Sequence, residues 1–116
     1  MFVASIIVSA LLAIAVGGSG YNKLIKNETI LKGMDVVRVP RDRVWMLGVL
    51  EVAAALGLVV GIFWWPIGVA AAIGVIVYFV GAVIAHLRVS DTKGVGAPAV
   101  LLLVGVAALV LRLLSV

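Results

Sequence analysis

Polar residues punctuate this chain at three places, and between them the sequence is almost wholly apolar. The apolar runs are Phe2 to Gly20, Val44 to Ile62, Ile67 to Leu87 and Pro98 to Leu114. Each is long enough to cross a hydrocarbon core of about 30 Å as a helix. The link Phe63-Trp64-Trp65-Pro66 is so short that the second and third runs must be antiparallel neighbours. Its aromatics suit a membrane interface, and Pro66 suits a helix start. Pro98 opens the fourth run. The pattern predicts an all-α protein, an integral membrane bundle of four antiparallel helices forming one domain.

The longest polar stretch, residues 21–43, joins the first two runs. Asn27 can cap a short helix from Glu28, Gly33 can end it, and Pro40 and Asp42 lead into the next span. Ile30, Leu31, Met34, Val36 and Val37 place this segment along the membrane surface or back against the bundle. Small residues recur inside the runs. Gly57-x-x-x-Gly61 and Gly81-x-x-x-Ala85 predict close helix contacts. The first run lacks the basic start of a signal peptide and is expected to remain as a span.

Composition agrees with this pattern. Apolar residues make up 66% of the 116, and charged residues only 12%, half of the roughly 25% usual in soluble domains. There is no cysteine, which excludes disulfides and thiol chemistry. The single histidine argues against an all-protein metal site. The net charge of +4 lies mostly in the loops, a membrane-orienting pattern rather than a nucleic-acid footprint. Lys23, Lys26, Lys32, Arg38, Arg41, Arg43, Arg88 and Lys93 fall on one side, and Arg112 alone on the other, where it is expected to snorkel to the headgroups. The positive-inside rule predicts cytoplasmic charged loops with both termini outside.

Candidate chemistry centres on Glu51, the one ionisable residue in the second run. It lies seven residues from the charged end, about 10 Å into a helix. An ionised carboxylate at that depth needs a partner or a proton, and such an acid is by default a functional candidate. Tyr21 and Lys23 end the first run at similar depth, and His86 and Arg88 end the third. A Glu51–Lys23 or Glu51–His86 pair would lower the burial cost. Together these residues suit a proton relay, or a grip on the polar head of an apolar ligand such as a quinone. Bland roles stand beside these. Glu51 can fix packing, Lys23 and Arg88 can anchor at the interface, Tyr21 can belong to an aromatic belt, and His86 can bond a loop carbonyl.

The ordered set Gly20-x-x-Lys23, Gly33-Met34, Gly48-Val49-Leu50-Glu51, Gly81-Ala82-x-x-x-His86-Leu87-Arg88 and Pro98-Ala99-Val100 resembles the DoxX-like family of small bacterial four-helix membrane proteins. The resemblance implies a bacterial plasma-membrane location and a link to membrane-associated oxidoreductase systems. Lys23, Glu51, His86 and Arg88 match the family's polar positions. With no flavin or haem motif in the chain, it implies a subunit that anchors an oxidoreductase partner protein or binds quinone. Two other readings stay open, a small proton-coupled transporter and a purely structural assembly protein. The small-residue faces also allow a homodimer.

Overall fold

The computed structural model describes residues 2–115. Five helices, α1 (Phe2–Leu24), α2 (Glu28–Val36), α3 (Val44–Phe63), α4 (Trp65–Arg88) and α5 (Gly96–Leu114), follow one another, with a single 3-10 turn at Arg41–Arg43 before α3. The described residues contain no strand. α1, α3, α4 and α5 are each long and apolar enough to cross a membrane. Their ends run beyond the apolar runs of the sequence, because Lys23, Trp65, Arg88 and Gly96 continue the backbone hydrogen bonding into the polar flanks.

The four long helices form a ring in which α1 packs on α3, α3 on α4, α4 on α5, and α5 on α1. Every neighbour is antiparallel. The bundle is 40 Å long. Its core is Leu12, Val16, Leu58, Ala72, Val75, Phe79 and Ala108, with Ala13 and Ala55. The outer faces are just as apolar. Ile14 on α1, Leu56 on α3, Val77 on α4 and Leu103 on α5 are all exposed, a surface that only lipid can cover without penalty. The chain is a multi-pass membrane protein.

Hydrophobicity alone cannot tell inside from outside here, since both are apolar. Small residues do that work. A Cβ on Gly20 would stand 2.8 Å from the Gly48 carbonyl oxygen, and one on Gly48 would stand 2.9 Å from the Gly20 oxygen. α1 and α3 therefore touch backbone to backbone. Gly61 of α3 meets Gly68 of α4 in the same way beside the single-residue link Trp64.

Among the described residues no glycine takes a positive φ at a helix stop. α1, α2 and α4 stop in turns where Lys26, Arg38 and Ser90 have φ of 56°, 63° and 56°. In α2, Val39 N–H donates to Met34 O at 2.9 Å and Arg38 N–H to Asp35 O at 3.1 Å, the paired bonds of a Schellman stop. The expectation that Gly33 ends this helix is corrected. α2 continues through it for another turn, because Leu31 is buried and Met34 and Val37 line the bundle. Asn27 does cap it, accepting from Thr29 N–H at 3.0 Å. Arg41 clasps Asp35 at 2.7 Å and Glu28 at 3.4 Å, tying α2 to the 3-10 turn. The hydrogen bond from Arg41 holds the Asp35 carboxyl below the usual carboxylate range.

Candidate functional site

The Gly20–Gly48 contact decides what lies next to Glu51. One helical turn beyond Gly20 is Lys23, and one turn beyond Gly48 is Glu51. With the backbones in contact, the two side chains meet inside the bundle. Glu51 is 1% exposed and Lys23 6%. The Lys23 ammonium makes a salt bridge to Glu51 Oε1 and donates to Ser19 Oγ at 2.9 Å. From α4, the Tyr78 hydroxyl donates to the same Glu51 Oε1 at 2.8 Å. Two donors on one oxygen is the pattern of an ionised carboxylate facing an ammonium. The other oxygen, Glu51 Oε2, is buried without a hydrogen-bond partner. A buried, unsatisfied oxygen on a charged group is costly and calls for an explanation.

Two cavities flank this cluster. The first, about 490 Å³, opens between α3 and α4 and has Glu51 and Tyr78 among a lining of Val16, Leu50, Ala54, Ala71, Gly74, Val75, Val77 and Phe79. Leu50 and Val77 on its lining are 57% and 66% exposed, so it opens sideways towards lipid. The second, about 410 Å³, lies at the basic end. Lys23, Ser19, Tyr78 and His86 line it together with Met34, Val37 and Val39 from the α2 segment. Tyr78 and Phe79 belong to both walls and separate the two spaces. Their rings meet edge to face with centroids 4.9 Å apart.

Of the candidates, the structure brings Lys23 to Glu51. It does not pair His86 with Glu51. His86 stands two helical turns from Tyr78, and its Nδ1–H donates to Asp91 Oδ2 at 2.8 Å. Asp91 Oδ1 in turn accepts from Gly94 N–H at 3.0 Å. These bonds, the one from His86 foremost, hold the Asp91 carboxyl below the usual carboxylate range. Tyr21 and Arg88 lie away from the cluster, and both are exposed. Each is two residues from a partner that faces inward, which is about 200° around a helix. Tyr21 instead borders a shallow outer groove with Val52 and Leu56.

Two members of the cluster escaped the sequence reading, Ser19 and Tyr78. Tyr78 sits mid-helix and is a plain apolar residue to a hydropathy count. The signal that would have found it is its spacing of eight from His86, which puts both on one face of α4. Gly81 is corrected as well. No atom lies within 4 Å of where its Cβ would be. Together with Ala82 and Ala85 it makes room for the basic-end cavity rather than a helix contact. Arg112 does not snorkel. It is 8% exposed, with Nε donating to Gly61 O at 2.9 Å and Nη1 to Ser115 Oγ at 3.0 Å. Among the described residues no group of acids and histidines is arranged to hold a metal ion.

Comparison with curated proteins and with solved structures finds no match. The family model described as the DoxX-like family matches residues 7–108, a span that takes in the Gly20–Gly48 contact, the Lys23–Glu51–Tyr78 cluster and both cavities. The four-span bundle and this match agree, and the chain belongs to the DoxX-like family.

Proposed function

We propose that the protein is a membrane subunit of an oxidoreductase system, in which a quinone-like molecule or a redox partner protein engages the Lys23–Glu51–Tyr78 cluster. The observation that carries this reading is the unpartnered Glu51 Oε2, buried beside an apolar cavity open to lipid. The cavity's volume and apolar lining suit the ring of a lipid-soluble molecule. Lys23 and Tyr78 fix one oxygen of the acid, and the other is left without a donor. In this reading the chain sits in a bacterial plasma membrane with the basic loops cytoplasmic and both termini outside. The basic end, crossed by α2 and the 89–95 loop, is then the face that meets a soluble partner. A homodimer is compatible with the exposed apolar faces.

The test is native mass spectrometry of protein extracted gently from its own membranes, wild type beside Glu51→Gln. A bound quinone-like molecule, in whichever redox form, or a co-purifying oxidoreductase on the wild type, lost in the variant, is the expected result. Bare protein in both removes the reading.

A proton-coupled transporter is the second reading. It is favoured by the position of the cluster between two cavities, Glu51 lining one and Lys23 the other. Its signature is proton-driven efflux from vesicles that disappears in Glu51→Gln.

A further inference from the structure

The two oxygens of Glu51 are not equivalent, and the difference specifies a ligand. Oε1 takes both the Lys23 ammonium and the Tyr78 hydroxyl. Oε2 takes nothing. Lys23 and Ser19 line only the basic-end cavity, whereas Glu51 lines only the membrane-facing one. The membrane-facing cavity is therefore the open space next to the unpartnered oxygen. An ionised carboxylate oxygen can only accept, so a partner for it carries an O–H or N–H. The rest of the cavity is apolar. Ala54, Ala71 and Gly74 leave a slot between α3 and α4, and Phe79 and Val75 stand at its back. Leu50 and Val77, both lipid-exposed, border it.

We propose that this membrane-facing cavity is a binding site for a lipid-dissolved molecule with a flat apolar ring bearing a hydroxyl donor, received by Glu51 Oε2. A phenol or hydroquinone fits this chemistry. A ring whose only polar groups are carbonyl or ether oxygens does not, since it would set acceptor against acceptor. The inference rests on the reading of the cluster as a ligand site and sharpens it, because the site then selects the reduced, hydroxyl-bearing form of a quinone-like pair.

Glu51→Gln gives a specific consequence. Lys23 and Tyr78 both donate, so they hold the amide oxygen at the Oε1 position. The amide NH₂ then stands where Oε2 stood, and an acceptor becomes a donor. The preference for a hydroxyl-bearing ring is lost.

The experiment uses the full chain in lipid nanodiscs and two redox-inert probes of one shape, a long-chain 4-alkylphenol and its methyl ether. The phenol is expected to bind wild type about tenfold or more tighter than the ether, the size of one hydrogen bond to a charged acceptor. In Glu51→Gln that ratio falls to about threefold or less. Gly74→Leu is the second variant. A Cβ there meets nothing within 4 Å, so the side chain fills the slot while the Lys23–Glu51–Tyr78 bonds stay in place. It is expected to lose phenol binding with its unfolding temperature not lowered, since a helix-interior glycine is itself unfavourable. Equal binding of phenol and ether to wild type overturns the donor requirement and leaves the ligand-site reading standing. Phenol binding that ignores Gly74→Leu overturns the location. Failure of both probes to bind wild type removes the site itself.

Discussion

The two ends of this bundle each bury a cation, and they treat it in opposite ways. At the basic end Lys23 faces a carboxylate, which itself keeps one oxygen free. At the other end Arg112 has no acid beside it among the described residues. Its guanidinium binds the carbonyl of Gly61 in the last turn of α3. That carbonyl is one of the four that a helix C-terminus leaves without an intrahelical partner, at the negative end of the helix dipole. Arg112 closes an account that the backbone had opened, and its role ends there. The Lys23 pair brings an extra charge into the membrane and leaves part of it unsatisfied. A structural device has no reason to do so, which is why the candidate chemistry lies at the basic end.

Breaking the Lys23 pair separates the two ends most sharply. Lys23→Met strands a buried carboxylate, at a cost of about 3–5 kcal/mol. It should lower the unfolding temperature in detergent more than any other single change at either end. Lys23→Met with Glu51→Leu should recover most of that loss, since an apolar pair of similar size removes both charges. A double variant as unstable as the single one would mean that the pair holds the fold in some other way.

Arg112→Met tests the opposite end. Loss of a charged hydrogen bond to a helix terminus costs about 1.5–3 kcal/mol. Thermal unfolding should fall accordingly, while binding of the alkylphenol is unchanged. A change in phenol binding would show that the two ends are coupled and erase the contrast.

Ser90→Gly acts in the reverse direction. Ser90 has φ of 56° at the end of α4, where glycine carries no Cβ penalty. The substitution should stabilise by about 0.5–1 kcal/mol with no effect on binding, as read by denaturant unfolding.

The smallest effect concerns pH at the mouth of the basic-end cavity. Because the Asp91 carboxyl is held below its ordinary value, its contribution is fully present above the usual carboxylate range, about pH 3.9. That contribution fades as the pH falls through the depressed value. An NMR titration should place the Asp91 midpoint below that of a free aspartate. A midpoint at or above it would mean that the His86–Asp91–Gly94 bonds do not persist in solution.

Much of the architecture could be read from the residues alone. Four runs of this length and apolarity can only satisfy their backbone in lipid as helices, so class, span number and antiparallel order followed from hydropathy and short links. The need of Glu51 for a partner was legible for the same reason, since a lone acid in a span demands one, but Lys23 and His86 were equal candidates and packing chose Lys23. Periodicity said less, because helices that are apolar all round show no hydrophobic face. Tyr21 and Arg88 looked equivalent to Lys23 and His86 by depth, and only rotation about the helix axis parted them. Arg112 looked like a surface residue until the end of α3 came to lie beside it. Glycine misled at Gly33, where burial of the neighbouring side chains outweighed a local tendency to stop.

Sequence alone thus determined that this protein crosses a membrane four times and carries an acid it cannot leave unpaired. The tertiary structure decided which oxygen of that acid is taken and which is free. That choice depends on a backbone contact between Gly20 and Gly48 and on a tyrosine from a third helix. Residues so far apart in the chain share a site only because packing brings three helices to one point.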